Sequence, residues 1–462
     1  MSRPGRERSR RILIVGGGFV GMVVARRLER RIDRRHAIEL VTPENFMLYH
    51  PFLPEVASGT IDPRAVVVPL RRALRRTRLT IGEVERVEHD RRSASVRLPH
   101  GAVVERAYDE IVLAPGSRSR VSHVPGLAEH GIGFKTLAEA IWLRNRVLSQ
   151  LDRAEAMDDP RARRQALTFV FVGGGYAGIE ALGELEDLVR DALPLYRTVA
   201  PQEPRWLMVE AGPRILRELD EDLAADARRR LEERGVEFRI GTRLEAVEPG
   251  RVRLSDGEVI AADTVVWTTG VHPVALARRS GLPVDATGRL LVDPYLRVQG
   301  LEGAWGAGDA AAVPDVTTGG LVPATAQHAL REARRLADNL ASTVDGDGGL
   351  RPFRWKHKGS VVSLGHYEGV ANPLGIRVRG FPAWFLHRTY HLFAMPTLGR
   401  RVRIAADWTV ALLFARDVSQ LGSLTTPREA FLRALESDDN GPHGAGGSEA
   451  DGDAPRSDRP GG

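Results

Sequence analysis

Ile12-Leu-Ile-Val15 is an unbroken apolar run that stops at three glycines and gives way to apolar positions at helical spacing. The same succession returns at Phe169-Val-Phe-Val172, again followed by three glycines and a helix-forming stretch. A short β-branched run bounded by glycine predicts a buried strand, and a 3.6-residue period after it predicts a helix. The loops read Gly16-Gly-Gly-Phe-Val-Gly21 and Gly173-Gly-Gly-Tyr-Ala-Gly178, offset by 157 residues. A second pair keeps the same order: Tyr108 to Gly116 is echoed by Ala262 to Gly270, with Asp109 and Asp263 offset by 154. Motifs repeated in one order at nearly one spacing predict two related α/β domains of doubly wound type.

Two later patterns predict helices of another kind. Ala326, Ala329, Leu330, Ala333, Ala337 and Leu340 form an apolar stripe that reads as core. Between Glu368 and Asp407 there is no acidic residue, while Arg377, Arg379, Arg388, Arg400, Arg401 and Arg403 alternate with aromatic residues. On a wheel at about 100° per residue, Phe385, Leu386, Tyr390, Leu392 and Phe393 share one side, and His387, Arg388 and His391 the other. That pattern predicts an interfacial helix with its apolar face in the acyl boundary and its cations toward anionic headgroups. Trp408 to Ala415 is apolar almost all round, which suits burial, dimerisation or membrane embedding alike. Nothing reaches the roughly 20 apolar residues of a spanning helix. Ile12 to Ala25 follows a basic start and imitates a secretion signal, but its glycines read better as a strand and phosphate loop.

Composition narrows the chemistry. The chain has 462 residues, enough for several domains, and no cysteine. Disulfides, thiolate metal sites, cysteine nucleophiles and redox dithiols are therefore excluded. The formal charge is +6, but lysine occurs only at Lys135, Lys356 and Lys358. The other basic residues are arginines spread along the chain, a skew of coding bias, so no nucleic-acid partner is expected. From Ser437 onward six acids meet two arginines, a charge of −4 that leaves +10 for the rest. This tail, rich in glycine, aspartate and serine, is expected to be disordered.

The glycines carry the first functional reading. The first of each motif permits the turn after the strand, the second lets backbone approach a pyrophosphate, and the third lets helix and strand pack closely. The helix N-terminus then presents free N–H groups to the phosphates. An acidic residue ending the next strand binds a ribose hydroxyl. In the second copy that residue is Glu210, closing Trp206-Leu-Met-Val-Glu210. It lies 32 residues past Gly178, and the proline-bearing segment Leu193 to Pro204 explains the extra length. A carboxylate there repels a 2′-phosphate and favours NADH over NADPH. In the first copy the strand ends in Thr42, with Glu44 two residues on.

Trp305-Gly-Ala-Gly-Asp-Ala-Ala311 resembles the second flavin signature of flavoproteins with two dinucleotide-binding domains. Leu48-Tyr-His-Pro-Phe-Leu-Pro-Glu-Val-Ala-Ser-Gly59, Gly173 to Glu184, and Thr325-Ala-Gln-His-Ala-Leu-Arg-Glu332 resemble segments of type II NADH:quinone oxidoreductases, the last their AQxAxQ quinone-site helix. The resemblance runs from about residue 10 to 425. It implies FAD and NADH as cofactors. FAD would be bound by Gly16, Gly17, Gly18, Gly21, Thr42, Pro51, Ala114, Gly116, Gly308 and Asp309. NADH would be bound by Gly173, Gly175, Gly178, Glu210 and Gly270. It further implies Glu180 near the nicotinamide, Ala326, Gln327, Leu330 and Arg331 on the quinone side, and Lys358 near the quinone. Thr42 stands where the family has an acidic residue, and Arg331 where AQxAxQ has its second glutamine.

The expected organisation is a disordered N-terminus over 1–9, an FAD domain in two segments (10–117 and 289–350), and an NADH domain over 118–288. A membrane- and quinone-side region comes next over 351–425, then the acidic tail over 426–462. The expected activity is hydride transfer from NADH to FAD, then two electrons to menaquinone or ubiquinone, without proton pumping. The enzyme would sit peripherally on an anionic membrane, at its cytoplasmic face, with a homodimer left open. No metal is expected. A soluble ferredoxin or rubredoxin reductase and a flavin-binding redox sensor of negligible turnover stand as alternatives.

Overall fold

The structure, a computed structural model, describes residues 9–121, 124–346, 348–355, 359–365 and 367–422. The chain divides into two units, 1–419 and 420–462. Only 420–422 of the second are described, and every helix and strand described lies in the first. Lys358, the N-terminus before Ser9 and the acidic tail lie outside the described residues.

The first sheet is built from β1 (Arg11–Val15), β2 (Ala37–Thr42), β3 (Arg78–Ile81), β4 (Glu110–Leu113) and a returning strand, Ala304–Gly306. All neighbours are parallel, in the order Ala304–Gly306, β4, β1, β2, β3. Ile12 to Val15 and all of β4 are buried. Parallel strands covered on both faces read as continuous apolar runs, which is why these segments show no alternation. α1 (Phe19–Arg31) starts at the first glycine loop, and the short α2 (Leu53–Ala57) follows β2.

The second sheet repeats the first. β5 (Thr168–Val172), β6 (Arg205–Glu210), β7 (Val236–Ile240) and β8 (Thr264–Trp267), with the short strand Ile132–Gly133, run parallel in the order Ile132–Gly133, β8, β5, β6, β7. α3 (Tyr176–Ala192) starts at the second glycine loop, and α4 (Glu221–Glu233) precedes β7. The duplication extends beyond the motifs. Each copy inserts an antiparallel three-stranded meander before its last in-chain strand, Glu83–Glu88 to Val103–Ala107 in one and Leu244–Glu248 to Val259–Ala261 in the other. Each meander has a register shift in its first strand, at Val84/Arg86 and Leu244/Ala246.

Both glycine turns are made the same way. Gly16 N–H donates to Val41 O at 2.8 Å, and Gly173 N–H to Val209 O at 2.8 Å. Their φ values, +100° and +113°, lie where a side chain is strained. A Cβ on Gly21 would stand 1.8 Å from Gly16 O, and one on Gly178 would stand 2.1 Å from Gly173 O. The third glycine is thus a packing requirement between helix and turn.

The chain crosses between the two sheets twice, at Ser117–Ser119 and Val271–Pro273, and these crossings pair antiparallel. α5 (Ala326–Asp345) then packs along α1. β9 (Val361–Ser363), β10 (Gly369–Ala371) and Val378–Arg379 form a small antiparallel sheet. α6 (Phe381–Ala394) covers it, and α7 (Leu398–Leu413) ends the described fold. Among the described residues no helix is long and apolar enough to cross a membrane.

α6 keeps Phe385 and Phe393 outward, as its wheel predicts, but turns its cations inward instead of toward headgroups. His387 is 2 % exposed, Arg388 reaches Glu55 at 3.2 Å, and His391 Nδ1 meets the Tyr49 hydroxyl at 3.1 Å. Phe385 and Phe393 are 57 % and 67 % exposed. The cations face inward because Glu55 on α2 and Glu180 on α3 are buried carboxylates, which require charged or hydrogen-bonding partners. Arg377 and Arg379 are also taken up, by Asp222 on α4. The outward face of α6 is therefore apolar rather than cationic.

Candidate active site

Both glycine loops open on one cavity of about 1820 Å³. A pocket for one drug-sized molecule spans about 300–1,000 Å³, so this space admits more than one. Gly16, Gly17, Gly18, Thr42, Glu44 and Pro51 line one part, with Ala114 and Gly116 from the end of β4. Gly173, Gly175, Glu180, Glu210 and Gly270 line another. Gly308, Asp309, Ala326, Gln327 and Arg331 complete the wall. Gly21 and Gly178 do not line the cavity; they support its loops from behind.

The loops fit a pyrophosphate. A Cβ built on Gly18 or on Gly175 meets no atom within 4 Å, and both glycines face the cavity. Each caps a helix that has no side-chain cap and no acidic residue in its first turn. Backbone N–H groups and the positive helix end are thereby left for an anion. Glu210 does more than face the cavity. Its Oε2 accepts from Gly174 N–H at 2.7 Å and its Oε1 from Gly212 N–H at 2.6 Å, so it also braces the second loop.

Asp309 accepts from Ser117 Oγ at 2.5 Å and lies 3.6 Å from Lys135 Nζ. Burial lowers the Lys135 pKa, against the pull of Asp309. Nothing in the motifs pointed to Lys135, although its rarity in a chain of arginines was a usable signal. His50, on the same wall, is pushed down to about 4 by burial and by Lys135, and is neutral.

Glu180 is 7 % exposed. Its Oε1 accepts from Ser363 N–H and stands 3.1 Å from His387 Nε2. Burial opposes a charge on His387, but Glu180, with Glu55 beyond it, outweighs burial and raises its pKa. Burial and the neighbouring His387 hold His391 well below the usual histidine range. The cluster thus sets an imidazole whose protonated form is favoured beside one whose neutral form is favoured; Glu180 and His391 line the cavity, and His387 stands behind Glu180.

α5 divides its residues between two spaces. Gln327 lines the large cavity, Leu330 a second, smaller one, and Arg331 reaches both. Arg331 donates to Gln327 O at 2.6 Å, and its guanidinium lies 3.5 Å from the centroid of Trp355. Arginine at this position is therefore held flat against an indole, as a glutamine would not be.

Glu332 sits behind Gly308 and accepts its N–H at 2.7 Å. Burial pushes its carboxyl up to about 7, with Gly308 lowering it and Asp309 raising it further. The unfolded group loses its proton near its ordinary value of 4.5, the folded one near 7. Stability therefore falls as pH rises through that window and stays lower above it. Glu332→Gln keeps the acceptor and removes the titration. Urea unfolding is expected to show a gain of about 3 kcal/mol near pH 8 and almost none near pH 4. An equal gain at both pH values would refute this account of Glu332.

Residues 10–333 match the model of the family described as pyridine nucleotide-disulphide oxidoreductase. The type II NADH:quinone oxidoreductase NdhA of Mycobacterium tuberculosis is 30 % identical over 429 residues, covering 89 % of this chain and 87 % of its own. The chain belongs to the type II NADH:quinone oxidoreductase family. A second relative from that organism, Ndh, is 29 % identical over 442 residues, covering 92 % of each chain. An NDH2 from Plasmodium falciparum, solved in complex with NADH, shares the fold at a TM-score of 0.83 and 17 % identity. The match covers 89 % of this chain and all of that one.

Proposed function

We propose that this oxidoreductase takes a hydride from NADH through FAD and passes two electrons to a membrane quinone, without pumping protons. The observation that carries the reading is the meeting of both glycine loops and the α5 residues Gln327 and Arg331 in one cavity. FAD bound against the first loop supplies the two-electron chemistry. The residues supply position and charge. Gly18 N–H and the α1 terminus hold the FAD pyrophosphate, Gly175 and the α3 terminus that of NADH, and Glu210 a ribose of NADH. Asp309, with Ser117 and Lys135, orients the flavin side of the cavity. Quinone reduction consumes two protons, and His387 Nε2, behind Glu180 of the cavity wall, is placed to hold one. Gln327 and Arg331 face the acceptor.

The domain limits that go with this reading are 10–117 with 289–350 for FAD, 118–288 for NADH, and 351–425 for the acceptor side. NADH is a cytoplasmic substrate, so the nucleotide domains face that side, and the outward apolar face of α6 meets the bilayer. Steady-state oxidation of NADH with a short-chain quinone tests the reaction. Sustained turnover supports it. A single bleaching of the flavin that then stops would identify a sensor instead.

Cofactor choice gives a second test. One carboxylate facing a 2′-phosphate costs one to several kcal/mol, roughly tenfold or more in preference for NADH. Glu210→Gln, which retains an acceptor for the loop, is expected to narrow that preference by about tenfold. Equal efficiency of the unaltered enzyme with NADH and NADPH would remove Glu210 from this role.

A further inference from the structure

A cavity of about 820 Å³ opens between α1, α5 and the two C-terminal helices. Arg26 and Arg30 on α1, Arg331 and Arg334 on α5, and Arg401 on α7 line it. Arg27 and Arg31 also reach it, but both are bound to Asp338. The other five have no carboxylate partner among the described residues. Arg26 donates to Pro396 O at 3.0 Å and Arg401 to Met395 O at 2.8 Å, bonds that fix the guanidiniums without neutralising them. Their mutual repulsion calls for an anion.

Apart from Thr389 and the hydroxyl of Tyr390, the rest of the wall is apolar. Met22, Leu330, Leu386 and Phe393 line it, and Phe393 is exposed, as are Phe385 on α6 and Leu398 and Val402 on α7. A small inorganic anion would satisfy the arginines and leave this wall in water. An amphiphile satisfies both. We propose that this cavity binds one anionic phospholipid, with its phosphate among the five arginines and an acyl chain along Leu330, Leu386 and Phe393. Guanidinium donors match phosphate oxygens in fork geometry, which distinguishes this site from a diffuse basic surface. The inference rests on the reading of the α6 face as membrane-facing.

The test uses the full-length protein in detergent, titrated calorimetrically with dioctanoyl phosphatidylglycerol, dioctanoyl phosphatidylcholine and inorganic phosphate. One phosphatidylglycerol per chain is expected, bound at least tenfold tighter than either other probe. Arg30→Ala with Arg334→Ala, both exposed and outside the nucleotide cavity, is expected to weaken it tenfold or more. Phe393→Ser is expected to weaken phosphatidylglycerol but not phosphate, with flavin absorbance and melting temperature as controls of folding. Equal binding of the two lipids, or a double variant that binds as tightly as the parent, would overturn the site. Phosphate binding as tight as phosphatidylglycerol would overturn the lipid assignment. NADH oxidation with a short-chain quinone is read in the same samples. Lipid selectivity lost with turnover intact fails this inference alone, and turnover absent from the parent fails the reaction.

Discussion

Gly18→Val is expected to yield a folded protein that purifies without flavin. The position is open toward the cavity: a Cβ there meets no protein atom within 4 Å, and the valine would occupy the place where a pyrophosphate must touch backbone. Flavin affinity is expected to fall roughly a hundredfold or more, about 3 kcal/mol. Gly175→Val, the matching change in the second loop, is expected to keep its flavin and lose NADH, seen as a raised KM. Gly21→Ala is a different experiment, because its methyl group would collide with Gly16 O and disturb the turn itself. Flavin absorbance per chain, with circular dichroism as the check on folding, separates the three. Full flavin content in Gly18→Val would mean that this loop does not bind FAD.

Phe385→Ser combined with Phe393→Ser is expected to release the protein from liposomes with little loss of stability. Both rings are already exposed, so the fold gains little from them. Burying a phenylalanine side chain in an apolar phase is worth about 1.5–3 kcal/mol, so two give roughly 3–6 kcal/mol, or a hundred- to ten-thousandfold in partition. Salt is expected to weaken the attachment of the parent only partly, because the apolar part is not screened. Co-sedimentation with anionic liposomes measures both effects. A double variant that sediments like the parent would make the α6 face a protein contact. Truncation ahead of Phe381 is a poorer test than these substitutions, since it removes Ala383, Trp384, His387 and Ile404 from the core.

The glycine loops were legible because their chemistry is local: turn, cradle and helix start lie within six residues. The parallel sheets followed from uninterrupted apolar strands such as Phe169 to Val172. What stayed hidden joins distant parts of the chain. Glu180 meets His387 across 207 positions, Ser117 meets Asp309 across 192, and Glu55 meets Trp408 across 353. No spacing rule reaches so far. The helical wheel rightly put Phe385 and Phe393 on one face of α6, but it grouped with them Leu386 and Tyr390, which line the large cavity beside His391. Only the buried carboxylates of α2 and α3 decide which face turns inward. The antiparallel meanders were missed for another reason: strands such as Val103–Ala107 are short, half exposed and rich in charge, so their alternation is faint.

α6 presents Phe385 and Phe393 outward while Leu386, Tyr390 and His391 line the large cavity. This one helix therefore touches both the outside and the reaction space. A helix with its side chains is about 10–12 Å across. An electron acceptor that approached along α6 would thus pass from its apolar outer face to the cavity over about one helix diameter, a distance its ring could cover with its hydrocarbon tail still in the lipid.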